Sequence, residues 1–282
     1  MEMEDDHLKR KRITQLFPFL LPIRRMQRKL FFYLRMRFDA NSYARTRTDR
    51  RLPFCAYEAK TNLINPNTGF DITYQHNKVF NLKLAAGTIN GVLITPGDTF
   101  SFWQLVRKAQ KQVCYKEGLS VENGELKTVK GGGLCHLSNF LFWMFLHSPL
   151  EIVERHSHRV KDFPSPDANA PDGVDAAVSE GWLDLKIRNQ TDQTFQIDLV
   201  FDDTHLYGRI LTERDWPCRY EIANRDKLFF KRQGKIYEQV SVVRQGVDKQ
   251  TGNMAQEQML YTDVFEVGYT LPEGLLIKES LI

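Results

Sequence analysis

Apolar residues recur along the chain at the spacings expected of helices and of strands. From Val79 to Ile89 they follow one face of a helix, and Gly91 offers a C-terminal cap for that helix. From Cys135 to His147 the chain is apolar on nearly every side, which predicts a helix buried in the interior, and Pro149 ends it. These two segments are the predicted core helices.

Strand patterns dominate the rest of the chain. Apolar and polar residues alternate from Phe195 to Phe201, and Asn123-Gly124 suits a tight turn between two short strands. Thr95–Asp98 carries Pro and Gly where a type II turn needs them. Asp184 is expected to be an exposed strand residue. The other predicted strands are Val92–Ile94, Leu150–Arg155, Val174–Val178, Leu183–Arg188, Tyr207–Leu211 and Met259–Val267.

Helices that precede a run of strands indicate an α+β fold, because α/β folds alternate the two kinds of element. We expect a buried helix, beginning at a glycine-rich turn and a cysteine, that packs on a mainly antiparallel sheet. Residues 1–51 are predicted to form a basic N-terminal arm and residues 52–215 the core domain. Residues 216–282 are expected to form a β-rich extension, either as a small separate sheet or as further strands of the core sheet.

The positive charge of the chain is concentrated in the N-terminal arm. Residues 1–51 contain 14 Lys and Arg against 6 Asp and Glu, a net of +8, and the whole chain carries only +4. A nucleic-acid-binding body would carry its own basic face, so no nucleic-acid partner is expected. From Pro22 onward basic residues alternate with apolar and aromatic ones, as in a basic amphipathic helix. Such a helix either packs on the body or lies on an anionic membrane surface.

Targeting signals and cysteine usage bear on location. The apolar part of the arm, FPFLLPI, is short and is broken by Pro18 and Pro22, so no cleavable signal peptide is recognised. No stretch approaches the roughly 18 consecutive apolar residues of a membrane-spanning helix. Four scattered cysteines without a CxxC pair indicate reduced thiols, although two distant disulfides also fit the count. We expect a cytoplasmic protein or one peripheral to the inner membrane face.

The candidate chemistry begins at Cys135, which follows three glycines and Leu134 at the start of the buried helix. Free backbone N–H groups and the positive end of the helix dipole favour a thiolate at this place. Glycine before the cysteine lets a substrate carbonyl approach the backbone closely. We therefore regard Gly132, Gly133 and Leu134 as candidate oxyanion donors or substrate contacts.

Two histidines and an aspartate follow the cysteine. His156 and His158 are two residues apart at the end of a predicted strand, so their side chains share a face. Asp175 lies on the next predicted strand, where it can orient an imidazole. A cysteine at a helix N-terminus, followed by a histidine and a polar orienting group, is the arrangement of several classes of thiol enzyme.

Other interpretations of these residues stay open. Cys135 can be a small buried hydrophobic residue, and the glycines can serve only a tight turn. A metal site built from Cys135, His136, His156 and His158 is disfavoured, because the side chains of adjacent residues point apart. The glycines lack the Lys and Ser or Thr of a phosphate-binding loop, which excludes nucleotide binding there. We therefore expect no metal and no cofactor.

Three blocks of the sequence together resemble the VanW family, which is associated with glycopeptide-resistance gene clusters. The blocks are NKVFNLKLAAGTINGVLITPGDTFSFW, GGGLCHLSNFLFWMFLHSPLEIVERHSH and GVDAAVSEGWLDLKIRN. The resemblance extends from about Thr73 to Phe201. It implies a cell-envelope role, and VanW domains of exported proteins imply L,D-transpeptidase activity through a cysteine.

The family's functional positions are carried over to this chain one by one. The family cysteine falls on Cys135, the histidine on His158 and the aspartate on Asp175. The family usually has glutamine after the cysteine, and this chain has His136 there, which puts the role of that position in doubt. His156 stands where many relatives have another residue, so it ranks below His158.

These inferences lead to one hypothesis and one rival. The hypothesis is a cysteine-dependent acyl transferase, L,D-transpeptidase-like or a peptidase, that acts on peptidoglycan stem peptides or their precursors. The rival is a non-catalytic accessory protein that binds a wall precursor or a resistance enzyme at the membrane surface. The lack of a recognised signal peptide favours the rival, because a wall cross-linker works outside the cell.

Overall fold

The computed structural model describes residues 17–111, 113–122, 125–161, 171–272 and 274–279. Within them the chain forms four α-helices, which are α1 (Leu21–Phe38), α2 (Thr73–Ile89), α3 (Phe102–Val106) and α4 (Leu134–Leu146). The strands of the described residues are β1 (Ser42–Tyr43), β2 (Phe54–Asn62), β3 (Leu93–Ile94), β4 (Asp98–Ser101), β5 (Glu117–Glu122), β6 (Glu125–Lys130), β7 (Glu151–Glu154), β8 (Val160–Lys161), β9 (Lys186–Arg188), β10 (Phe195–Phe201), β11 (His205–Thr212), β12 (Cys218–Arg232), β13 (Lys235–Asp248), β14 (Met254–Val267) and β15 (Ile277–Glu279). The predicted α+β class is confirmed.

The chain divides into two compact units. The described part of the smaller unit contains α1 and the short segment Ser179–Trp182. The larger unit contains Asn41–Val178 and Leu183–Ile282, with all of the strands above. None of the helices described is long and apolar enough to cross a lipid bilayer. The domain boundaries predicted at residues 51 and 215 stay predictions.

Three sheets and a hairpin form the β part of the larger unit. The sheet β2-β11-β10-β3 is antiparallel throughout, and β1-β4-β9-β7 is mixed. In the sheet β15-β12-β13-β14-β8, the long C-terminal strands pair with one another and with short β8. Strands β5 and β6 pair as the predicted hairpin, and its turn, Asn123-Gly124, lies outside the described residues.

Helix α4 lies in the core because it is apolar on nearly every side. Its residues Leu137, Leu141 and Phe145 are buried, and the helix contacts α2, β2 and β11. Burying each such side chain contributes about 1.5–3 kcal/mol to folding. Gly208 of β11 packs closely on α4, since a Cβ there would lie 2.3 Å from the sulfur of Met144. The predicted buried helix is thereby confirmed.

The strand predicted for Val174–Val178 is wrong. No strand forms there, because the peptide groups of this segment bond to α4 and to a neighbouring loop. The N–H of Ala176 donates to Asn139 Oδ1 at 2.7 Å, and Ser138 Oγ donates to the carbonyl of Ala176 at 2.5 Å. The N–H of Ala177 donates to the carbonyl of His156 at 2.7 Å. The segment is therefore a loop tied to α4.

The expected exposure of Asp184 is also wrong. This carboxylate is fully buried, and it accepts hydrogen bonds from Ser101 Oγ at 2.6 Å and from the Trp103 N–H at 3.0 Å. Burial raises its pKa to about 6. Asp184 satisfies a first-turn N–H of α3, whose N-terminal groups have no acceptor within the helix.

Candidate functional site

The turn that starts α4 requires glycine for two reasons. Gly131 and Gly133 have φ values of 80° and 94°, which L side chains rarely adopt. Gly132 lies against the β5 backbone, since a Cβ on it would be 2.2 Å from the carbonyl oxygen of Gly118. The buried Asn81 of α2 donates from Nδ2 to the Gly132 carbonyl at 3.0 Å. The start of α4 is therefore fixed by α2 and by the β5–β6 hairpin.

Cys135 is the second residue of α4 and is partly exposed. Its thiol donates to the carbonyl of Val178, with Sγ 3.6 Å from the oxygen. The first N–H groups of a helix have no acceptor within the helix, and those of Leu134 and Cys135 are of this kind. The N–H of Gly132, by contrast, donates to the carbonyl of Val129 at 3.0 Å. The N–H groups nearest the thiol are thus the better-placed oxyanion donors.

His158 and Asp175 form a close pair beside the thiol. His158 Nδ1 lies 2.7 Å from Asp175 Oδ2, and the backbone N–H of His158 donates to the same oxygen at 2.6 Å. The Cys135 thiol lies close enough to the imidazole to raise the pKa of His158. Because Asp175 holds Nδ1, Nε2 is the ring nitrogen left for the thiol. The structure therefore brings Cys135, His158 and Asp175 together.

The electrostatics of the pair favour an ionised site. The hydrogen bond with Asp175, and after it the interaction with Cys135, raise the pKa of His158 to about 10 against the opposing effect of burial. Burial raises the pKa of Asp175, but hydrogen bonds and the charge of His158 outweigh burial and hold it below its usual range. His158 is therefore protonated at neutral pH, and an imidazolium beside a cysteine stabilises the thiolate.

Arg155 holds the loop that carries Asp175, and nothing in the sequence pattern identified it. Its Nε donates to the carbonyl of Asp175 at 2.6 Å, and one terminal nitrogen donates to the carbonyl of Gly173 at 3.3 Å. The same guanidinium forms an ion pair with Asp263 of β14 and lies 4.2 Å from the Tyr261 ring centroid. Tyr261 also donates to the Gly173 carbonyl at 3.2 Å. The C-terminal sheet therefore supports the position of Asp175.

The other two candidate histidines, His136 and His156, contact other groups. His156 Nε2 lies 3.1 Å from Glu154 Oε1, so this ring is engaged away from the His158–Asp175 pair. His136 Nε2 lies 3.0 Å from Thr61 Oγ1. Burial, and then the charge of Lys78, lower the pKa of His136 to about 4, so its ring is neutral.

Lys78 places a positive charge near the start of α4. Its Cγ would lie 2.3 Å from a Cβ on Gly133, so its aliphatic stem packs directly on the turn before Cys135. Burial lowers the pKa of Lys78 to about 8, which leaves most of the amine protonated at neutral pH. Among the described residues, no group of three or more His, Cys, Asp and Glu side chains is arranged to hold a metal ion.

Comparison with known proteins identifies the family. A family model described as "VanW like protein" matches residues 77–211. The chain is 50% identical over 273 residues to "Vancomycin B-type resistance protein VanW" of Enterococcus faecalis (strain ATCC 700802 / V583). The aligned region covers 97% of this chain and 99% of that protein. The chain belongs to the VanW family. The resemblance inferred from the three sequence blocks is confirmed.

The VanW match includes Cys135, His158, Asp175 and Arg155, whereas Asp263 lies beyond it. A second relative, "Uncharacterized protein YoaR" of Bacillus subtilis (strain 168), is 36% identical over 117 residues, or 42% of this chain and 37% of that protein. No solved structure matches the chain.

Proposed function

We propose that this VanW-family protein is a cell-envelope protein associated with glycopeptide resistance that transfers acyl groups of peptidoglycan stem peptides or their precursors through Cys135. The biological setting is supported by the Enterococcus faecalis relative, which is named a vancomycin resistance protein and is alike over nearly its whole length. The chemistry rests on one observation. The carboxylate of Asp175, the imidazole of His158 and the thiol of Cys135 form a series at the N-terminus of a buried helix, in which Asp175 hydrogen-bonds with His158 and Cys135 lies beside His158.

Acylation follows from the charges of this series. The Cys135 thiolate attacks a peptide carbonyl carbon and forms a C–S bond, and the negative charge passes to the carbonyl oxygen. Backbone N–H groups at the start of α4 stabilise that oxygen. His158 then donates its Nε2 proton to the leaving amine as the C–N bond breaks, which leaves a thioester on Cys135.

Deacylation regenerates the site. An incoming amine or water attacks the thioester carbonyl, and the neutral His158 takes the proton that the nucleophile loses. The C–S bond breaks, and thiolate and imidazolium are restored. An amine acceptor gives a new peptide bond and hence transpeptidation, and water gives hydrolysis. Asp175 holds Nδ1 throughout, so the ring keeps Nε2 toward the reacting atoms.

Cys135→Ser tests this proposal because it changes one atom and keeps nearly the same volume. Purified wild-type protein is incubated with stem peptides of four and of five residues, with and without an added D-amino acid. The products are identified by mass spectrometry. We expect wild-type protein to form exchanged or shortened peptides and a thioester adduct of Cys135. The variant should form neither.

Cys218→Ser is the matched control, because Cys218 is also a partly exposed free cysteine. It should retain the activity of the wild-type protein. A Cys135→Ser protein that processes stem peptides as well as the wild type would refute the thiol mechanism. Full resistance function of Cys135→Ser in cells would favour the rival non-catalytic accessory role.

A further inference from the structure

Helix α1 exposes a continuous row of apolar side chains. Ile23, Met26, Leu30 and Leu34 recur at intervals of three and four residues, so they lie along one face of the helix. Met26 is 67% exposed and Leu30 is 58% exposed. Three exposed aromatic side chains extend this row. Phe19 lies before its start, Phe31 beside its middle and Phe38 at its end. We call these seven residues the apolar row.

The opposite side of α1 is occupied within its own unit. Lys29 forms an ion pair with Glu180, and Tyr33 donates to Glu180 Oε1 at 2.9 Å. The guanidinium of Arg28 lies 4.5 Å from the centroid of the Trp182 ring. Segment Ser179–Trp182 therefore covers one side of the helix, and the apolar row faces away from it.

The charge of α1 is entirely positive. The helix has six basic residues and no acidic residue, and Arg24, Arg25 and Arg35 are exposed. Within residues 17–40 and 179–182 these three arginines have no ion-pair partner. An exposed apolar row flanked by exposed arginines is complementary to a surface that offers both hydrocarbon and negative charge.

From this combination we infer that α1 binds the surface of a bilayer containing anionic phospholipids, with the apolar row inserted between the head groups. Helices that lie in the interface bury an apolar face at the boundary of head groups and acyl chains, and basic residues beside it contact lipid phosphates. Each Lys or Arg near such a surface contributes about 1 kcal/mol. A second copy of the chain fits less well, because pairing two apolar rows would bring two strongly basic helices together.

Flotation with lipid vesicles tests the inference on the full-length protein. The vesicles are pure phosphatidylcholine or phosphatidylcholine mixed with phosphatidylglycerol, each at low and at high salt. We expect binding to the anionic vesicles at low salt, weaker binding at high salt because screening shortens the range of the charges, and little binding to neutral vesicles.

Two variants separate the two contributions. Met26→Gln/Leu30→Gln keeps helix propensity and removes part of the apolar row, and it should lower the partition coefficient about tenfold or more. Arg24→Gln/Arg25→Gln/Arg35→Gln should lower it by up to about 150-fold, which corresponds to about 1 kcal/mol for each of the three charges. Arg28 and Lys29 are left unchanged, since both contact the Ser179–Trp182 segment.

Met254→Gln/Met259→Gln is the matched control, because these β14 side chains are 59% and 53% exposed and lie outside α1. It should bind vesicles like the wild type, and circular dichroism should show all variants folded. Equal binding to neutral and anionic vesicles, or equal loss in the control, would overturn the inference. The inference would also be overturned if the wild type formed a dimer and did not bind vesicles, and if Met26→Gln/Leu30→Gln were monomeric. That result would assign the apolar row to contact with a second copy of the chain.

Discussion

Replacing Asp175 with asparagine removes one negative charge from the site and leaves its shape nearly unchanged. The asparagine oxygen can still accept from the backbone N–H and from Nδ1 of His158, so the ring should stay in place. The change therefore isolates the electrostatic contribution of the carboxylate to the protonation of His158.

The magnitude follows from the geometry of the pair. A hydrogen bond between charged groups contributes about 1.5–3 kcal/mol, and Nδ1 and Oδ2 are 2.7 Å apart. The His158 side chain is 36% exposed, so screening by solvent places the effect near the lower end, at about 1.5 kcal/mol. Since about 1.4 kcal/mol corresponds to one pH unit, the pKa of His158 should fall by about 1.

An NMR titration of the His158 ring measures the consequence. His158 stays protonated at pH 7 in both proteins, so the quantity to compare is the midpoint of its own titration, which lies well above pH 7. That midpoint should be about one pH unit lower in Asp175→Asn than in the wild type. A midpoint unchanged by the substitution, with the fold intact, would refute the electrostatic argument.

The stability of the same variant should depend on pH in a defined direction. The folded pKa of His158 is raised, so its stabilisation is complete below its ordinary pKa of about 6.5 and is lost as the pH rises through about 10. The folded pKa of Asp175 is lowered, so its stabilisation is present above about 3.9 and is lost as the pH falls through the folded value. The difference in free energy of unfolding between wild type and Asp175→Asn should therefore be largest between about pH 4 and pH 6.5.

Three further substitutions test other parts of the site. Gly132→Ala should lower the free energy of unfolding by about 3 kcal/mol or more, because its Cβ would meet the β5 backbone at 2.2 Å. Gly87→Ala is the control: a Cβ there has open space, so it should raise the free energy of unfolding by up to about 1 kcal/mol. Urea unfolding measures both. Arg155→Met should lower the free energy of unfolding by about 3 kcal/mol, because it leaves the Asp263 carboxylate of β14 without its ion-pair partner. A loss below about 1 kcal/mol would contradict the inference that Arg155 holds the Asp175 loop in place. Lys78→Met keeps the aliphatic stem and removes the charge, so it should lower the ratio of iodoacetate to iodoacetamide labelling of Cys135, and Lys78→Arg should preserve that ratio.

The pattern of residues along the chain was sufficient to predict several features of this protein. The all-round apolar segment specifies that α4 is buried, and the glycines before it place Cys135 at the first turn. The Pro96-Gly97 turn appears as predicted, with Gly97 at a φ of 84° and the Asp98 N–H donating to the Thr95 carbonyl at 2.9 Å. These features depend on periodicity and on the steric limits of single residues, which act between neighbours in the chain.

The tertiary structure decided how the site is assembled. Val174–Val178 has the composition of a strand, yet its peptide groups are taken by Ser138 and Asn139 of α4, so Asp175 reaches His158 from a loop. Asp263 supports that loop through Arg155 although more than a hundred residues separate them. Contacts of this kind depend on which elements fold against each other. Propensity and spacing carry no information about such partners, because they describe each segment without its neighbours in space.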